Sequence, residues 1–90
     1  MGEEGIHETD GWIEETKTLI EAKSETSRPN IRMAIGQLHD YKRHLRPKPK
    51  SLTILLPTCP NSDLIELIFS QKIDIVYEED RGFVTIKRKR

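Results

Sequence analysis

The sequence predicts an α/β fold with a mixed sheet, in the order β-β-α-β-α-β-β. Three observations carry that expectation. Apolar residues recur at helical spacing in two stretches, at Ile31, Ala34, Ile35, Leu38, Tyr41 and Leu45 and again at Leu64, Ile65, Leu67 and Ile68. Short apolar runs bounded by turn residues lie between and after them, at 52–56, 73–77 and 83–86. A hairpin pattern occupies residues 10–23, ahead of the first helix. Strands that alternate with helices in this way build an α/β sandwich.

The elements follow in order. Residues 1–9 are acidic and weakly patterned, a short strand or a lead-in. Residues 10–15 form a strand with Trp12 as its apolar anchor, Thr16 and Lys17 turn, and 18–23 return as the second strand. Ser27 is a good N-cap and Pro29 is tolerated in a first helical turn, so a helix is expected over residues 28–45. Pro47 and Pro49 stop it. Leu52 to Leu56 is a continuous apolar run and reads as a buried central strand. Ser62 and Asp63 cap a second helix over 64–71. Ile73 to Tyr77 is a strand, Asp80-Arg81-Gly82 a turn, and 83–86 the last hairpin strand.

Ninety residues make one minimal domain. A chain this short buries only about 60–65% of its unfolded surface, so its stability margin is thin. Its composition is globular but polar, and a homodimer or a longer chain would complete such a small core. The net charge of zero hides an uneven distribution. Residues 1–25 hold eight acids and two bases, whereas 26–50 hold seven bases and one acid. Arg28, Arg32, Lys42, Arg43, Arg46, Lys48 and Lys50 form the basic block and suit phosphate. Lys87 to Arg90 are a second basic cluster, which reads equally well as a solvated tail. The single cysteine, Cys59, excludes an internal disulfide and fits a reducing cytoplasm. No apolar run approaches membrane-spanning length, so a soluble, cytoplasmic protein is expected.

The chemistry-bearing residues cluster in the first half. Glu21 and Lys23 are two apart in a strand and point to one side. Asp10 starts the paired strand, and a tight hairpin brings it back beside them. Two carboxylates and a backbone carbonyl, that of Ala22, suit Mg²⁺ or Mn²⁺, which prefer hard oxygen ligands. Such a metal polarises phosphate and acidifies bound water. The plain alternative is a Glu-Lys ion pair on a solvated sheet. Gln37 and Tyr41 are one helical turn apart, beside the apolar Ala34 and Leu38. A glutamine on a packed face needs a polar partner, and a metal-bound water or a substrate phosphate would serve. Gly36 costs about 1 kcal/mol relative to Ala in mid-helix, which a close helix–sheet approach would explain. His7, three residues before Asp10, could approach such a metal but reads more readily as having no such role, His39 and His44 read as surface or phosphate-side residues, and no Cys/His spacing indicates zinc.

Asp10, Glu21-Ala22-Lys23 and the run Ile35-Gly36-Gln37-Leu38-His39-Asp40-Tyr41 together resemble the PD-(D/E)xK nuclease superfamily, the restriction-endonuclease-like fold. The Gln-x-x-x-Tyr element is similar to its RecB-type branch. The resemblance covers residues 8–45. It implies a metal-dependent nuclease acting on DNA. Asp10 and Glu21 would be metal ligands, Lys23 the catalytic lysine, and Gln37 and Tyr41 would shape the site. Arg32, Lys42, Arg43 and Arg46 are expected to contact the DNA backbone, making binding salt-dependent. The family's core opens with a helix that nine residues before Asp10 do not accommodate. Glu4, Glu8, a second subunit or a partner would then supply what that helix brings. The alternative is a catalytically inactive module of the same fold, used for nucleic-acid binding or dimerisation.

Overall fold

The computed structural model describes residues 10–88, the side chain of Asp10 excepted. Five strands form one sheet: β1 (Asp10–Ile13), β2 (Thr18–Ala22), β3 (Ser51–Leu56), β4 (Asp74–Glu79) and β5 (Gly82–Ile86), side by side in chain order. Helix α1 (Arg28–His44) joins β2 to β3, and α2 (Ser62–Ser70) joins β3 to β4. The three central strands are parallel, and β1 and β5 pair antiparallel at the edges. The predicted element order and the mixed sheet are therefore those of the molecule. No helix among the described residues is long and apolar enough to cross a membrane.

Both crossovers advance across the sheet in the same direction. A right-handed connection then puts both helices on one face, and α1 packs on β2 and β3 while α2 packs on β4 and against α1. Alternation along the strands sends Leu19, Leu52, Ile54, Leu56 and Ile75 to that face. There they meet Ile31, Ala34 and Leu38 of α1 and Leu64 and Ile68 of α2. Each large aliphatic side chain buried this way contributes about 1.5–3 kcal/mol. No described element covers the other face, where Ile20, Leu55 and Val76 are half-buried and Phe83 is exposed.

Local chemistry explains where the ends fall and corrects several expectations. Strand β1 stops at Ile13, two residues early, because the turn takes four residues, with Lys17 at a φ of 55°. Trp12 is no anchor. It stays exposed on the edge strand, and its indole donates to Glu14 Oε1 at 2.8 Å. The Lys17 ammonium, then this indole, hold the Glu14 carboxyl below its ordinary range. Ser27 caps α1 as expected, accepting from the Asn30 amide. Helix α2 begins earlier than predicted because Asn61, not Ser62 or Asp63, is the cap, accepting from the Leu64 amide at 2.9 Å. The last hairpin turns through Asp80 and Arg81, both at positive φ, which leaves Gly82 free to start β5.

Gly36 is not explained by a close approach. It faces outward, and a methyl group there would touch nothing within 4 Å. Gly36→Ala is expected to raise stability by about 0.5–1 kcal/mol through helix propensity and a less flexible unfolded chain. Urea unfolding with a higher midpoint and an unchanged slope would show this, and a lower midpoint would refute it.

Candidate functional site

The site is built where β2 ends against the flank of α1. Alternation that turns Leu19 into the core also turns Glu21 inward, and Glu21 is only 4% exposed. Register sets position 10 directly opposite Glu21 on the antiparallel neighbour. Lys23 follows the last residue of β2, its backbone N–H tied to the Leu55 carbonyl of β3 at 3.0 Å. That tie holds the lysine at the carboxyl end of the parallel strands. Its Nζ lies 3.3 Å from Glu21 Oε2, and it donates to Gln37 Oε1 at 2.6 Å.

Gln37 reaches this point because of its place on α1. At about 100° per residue it sits on the flank of the buried stripe formed by Ile31, Ala34 and Leu38, turned toward β2. Tyr41, one turn on, shares that flank and packs half-buried against the core. The Lys23 ammonium supplies a polar partner for the Gln37 carbonyl oxygen. Gln37 therefore fixes the lysine directly.

The electrostatics set this group apart from the surface pairs. The side chains of Glu21 and Lys23 are 5% and 14% exposed, whereas those of Arg43 and Asp40 are 70% and 59% exposed. Taking two charges out of water costs several kcal/mol per ion, and their attraction inside the protein seldom returns more than that. An apolar pair would fill the same space at lower cost. Buried charge of this kind concentrates at functional sites.

Among the described residues no three His, Cys, Asp or Glu side chains converge. A hard cation here would use the Glu21 carboxylate with position 10 opposite and the Ala22 carbonyl between Glu21 and Lys23, a donor set whose oxygen chemistry fits Mg²⁺ or Mn²⁺. The expectations on the Asp10 side chain, Glu4, Glu8 and His7 lie outside the described residues. His44 rests at the exposed end of α1, its Nδ1 3.0 Å from the Asp40 carbonyl.

The basic block does not gather at this site. Arg32 and Arg43 lie about 140° and 120° around α1 from Gln37, both exposed. Arg28 pairs with Asp63, and Arg43 with Asp40. Arg46 folds back on the carbonyls of Arg43 and Leu45. Lys42 and Lys50 instead line a cleft at the opposite end of the sheet, with Lys72 and Arg88. No local pattern in the sequence joins these four, because they come from separate turns and element ends. Comparison of the chain with protein-family models, with curated proteins and with solved structures gave no match.

Proposed function

We propose that this protein is a metal-dependent nuclease that hydrolyses DNA phosphodiester bonds. The observation that carries the reading is the buried Glu21–Lys23 pair at the strand end, bonded to the half-exposed Gln37, with position 10 in register across the hairpin. A divalent cation held by Glu21, Asp10 and the Ala22 carbonyl would polarise the scissile phosphate and lower the pKa of a bound water. Lys23 is the charged group beside that point. Its ammonium can hold the attacking water or steady the negative charge that develops on the phosphate oxygens. Gln37 keeps the ammonium aimed, and Tyr41 closes the same flank. Arg32, Lys42, Arg43 and Arg46 remain candidates for contacts to the DNA backbone.

Calorimetric titration with Mn²⁺ tests the ligand set. Wild type is expected to bind the ion, and Glu21→Gln, which keeps a hydrogen-bonding amide beside Lys23, and Asp10→Asn should each weaken it at least tenfold, read on protein that circular dichroism shows to be folded. A folded wild type that does not bind Mn²⁺ would sink the catalytic reading, and an inactive nucleic-acid-binding module would take its place. Gln37→Ala should slow turnover by about 10²-fold with KM little changed, because it frees Lys23 without touching substrate.

A further inference from the structure

The end of the sheet away from Lys23 carries a second concentration of charge. A cleft of about 610 Å³ opens there, lined by His39 and Lys42 from α1, Lys50 and Ser51 at the start of β3, Lys72 ahead of β4 and Arg88 beyond β5. It lies at the opposite end of β3 from Lys23, about 17 Å along the strand, and shares with the nuclease reading only Lys42, a candidate contact to the DNA backbone. Among the described residues no acidic side chain lines it. Arg88 Nε donates to Asp74 Oδ1 at 2.9 Å. Lys42, Lys50 and Lys72 have no carboxylate partner among the described residues.

Lysines near helix C-termini often do no more than neutralise the helix dipole, and α1 and α2 both end on this side. Each helix end carries about half a negative charge. Together they balance about one cation, whereas four surround the cleft, and among the described residues one carboxylate, that of Asp74, pairs with any of them. Lys50 and Arg88 belong to no helix at all. Lys72 also holds a φ of 60°, directly after the C-cap of α2, where glycine is the residue of least strain. The Lys72 ammonium is thus set on a backbone position that favours glycine. His39 adds a buried Nε2 with no hydrogen-bond partner among the described residues.

We propose that this cleft binds a compact oligophosphate, two or more linked phosphate groups, through Lys42, Lys50, Lys72 and Arg88. Ammonium and guanidinium groups are the usual donors to phosphate oxygens. The volume falls in the range of small-ligand sites. Among the described residues no Phe, Tyr or Trp lines the cleft, so they offer charge to phosphates and no stacking surface to a base.

Titration calorimetry on the full chain, with sodium tripolyphosphate as the probe and sulfate as control, tests this. Wild type should bind one tripolyphosphate at least tenfold more tightly than sulfate. Lys72→Gly should weaken that binding about tenfold or more, the loss of one charge-assisted hydrogen bond, without lowering the unfolding temperature, since glycine suits the backbone there. Lys50→Gln should weaken it likewise, and Arg81→Gln, which removes the same charge elsewhere, should not. The proposal is overturned if tripolyphosphate binds no better than sulfate, or if Lys72→Gly and Lys50→Gln bind it as wild type does. It is equally overturned if a short DNA duplex, but not tripolyphosphate, loses affinity in those two variants. That last result would assign the cleft to a nucleic-acid backbone.

Discussion

Replacing Glu21 and Lys23 together by apolar residues, Glu21→Leu with Lys23→Met, is expected to leave the protein as stable as wild type or up to about 4 kcal/mol more stable. Either change alone is expected to cost about 3–5 kcal/mol. The asymmetry follows from burial. Glu21 is 4% exposed, and Lys23 Nζ lies 3.3 Å from its carboxylate. A single change takes from the remaining ion the opposite charge 3.3 Å away, at a place that water barely reaches. A domain of this length has about 5–13 kcal/mol of total stability, so each single variant approaches unfolding at room temperature. The double variant removes both desolvation costs and sets an apolar side chain beside Ile54, the register neighbour of position 21 on β3. Gln37 loses its donor, but it is half-exposed and water replaces the lysine. Urea unfolding of the four proteins gives the coupling energy directly. Costs that simply add in the double variant would mean that the pair serves the fold, and the functional reading of its burial would fall.

Leu38→Ala should produce the largest loss among the core positions of α1, about 2–5 kcal/mol. Leu38 is wholly buried between the helix and the sheet. Truncation removes its transfer energy and leaves a cavity that Ile31 and Ile54 cannot fully close. The contrast with Gly36→Ala, two residues away on the same helix, is the informative part. The same alanine stabilises where the side chain meets solvent and destabilises where it meets the core. Leu38 is also adjacent to Gln37, so a loosened helix would release Lys23 as well. A fall in the urea midpoint with an unchanged slope is the expected record. A cost below about 1 kcal/mol would place α1 differently against the sheet.

Much of this architecture was legible in the chain because it depends on local periodicity. The 3.6-residue spacing of Ile31, Ala34, Leu38 and Tyr41 and the short apolar runs fixed the order of elements, and the fold has that order. Ends were less legible, since they are decided by single side chains. Asn61 outcompetes Ser62 and Asp63 as a cap, and a four-residue turn shortens β1. The pairing of Glu21 with Lys23 could be read from strand alternation alone. The partner of Gln37 could not, because Lys23 lies 14 residues away and meets it only when α1 docks on β2. The bases of residues 28–50 form one block along the chain. In the molecule its residues divide among exposed ion pairs, backbone contacts and a remote cleft. That division is set by helical phase and strand direction, which no charge count contains.

The most direct test of the nuclease proposal is cleavage of end-labelled single- and double-stranded DNA by wild type and by the Glu21→Leu/Lys23→Met double variant, each with Mn²⁺ and with chelator. The prediction is cleavage by wild type that requires the metal, and none by a double variant that is fully folded by circular dichroism. Cleavage by that variant at the wild-type rate, or intact DNA of both kinds after incubation with folded wild type and Mn²⁺, would contradict the assignment of this buried group to phosphodiester hydrolysis.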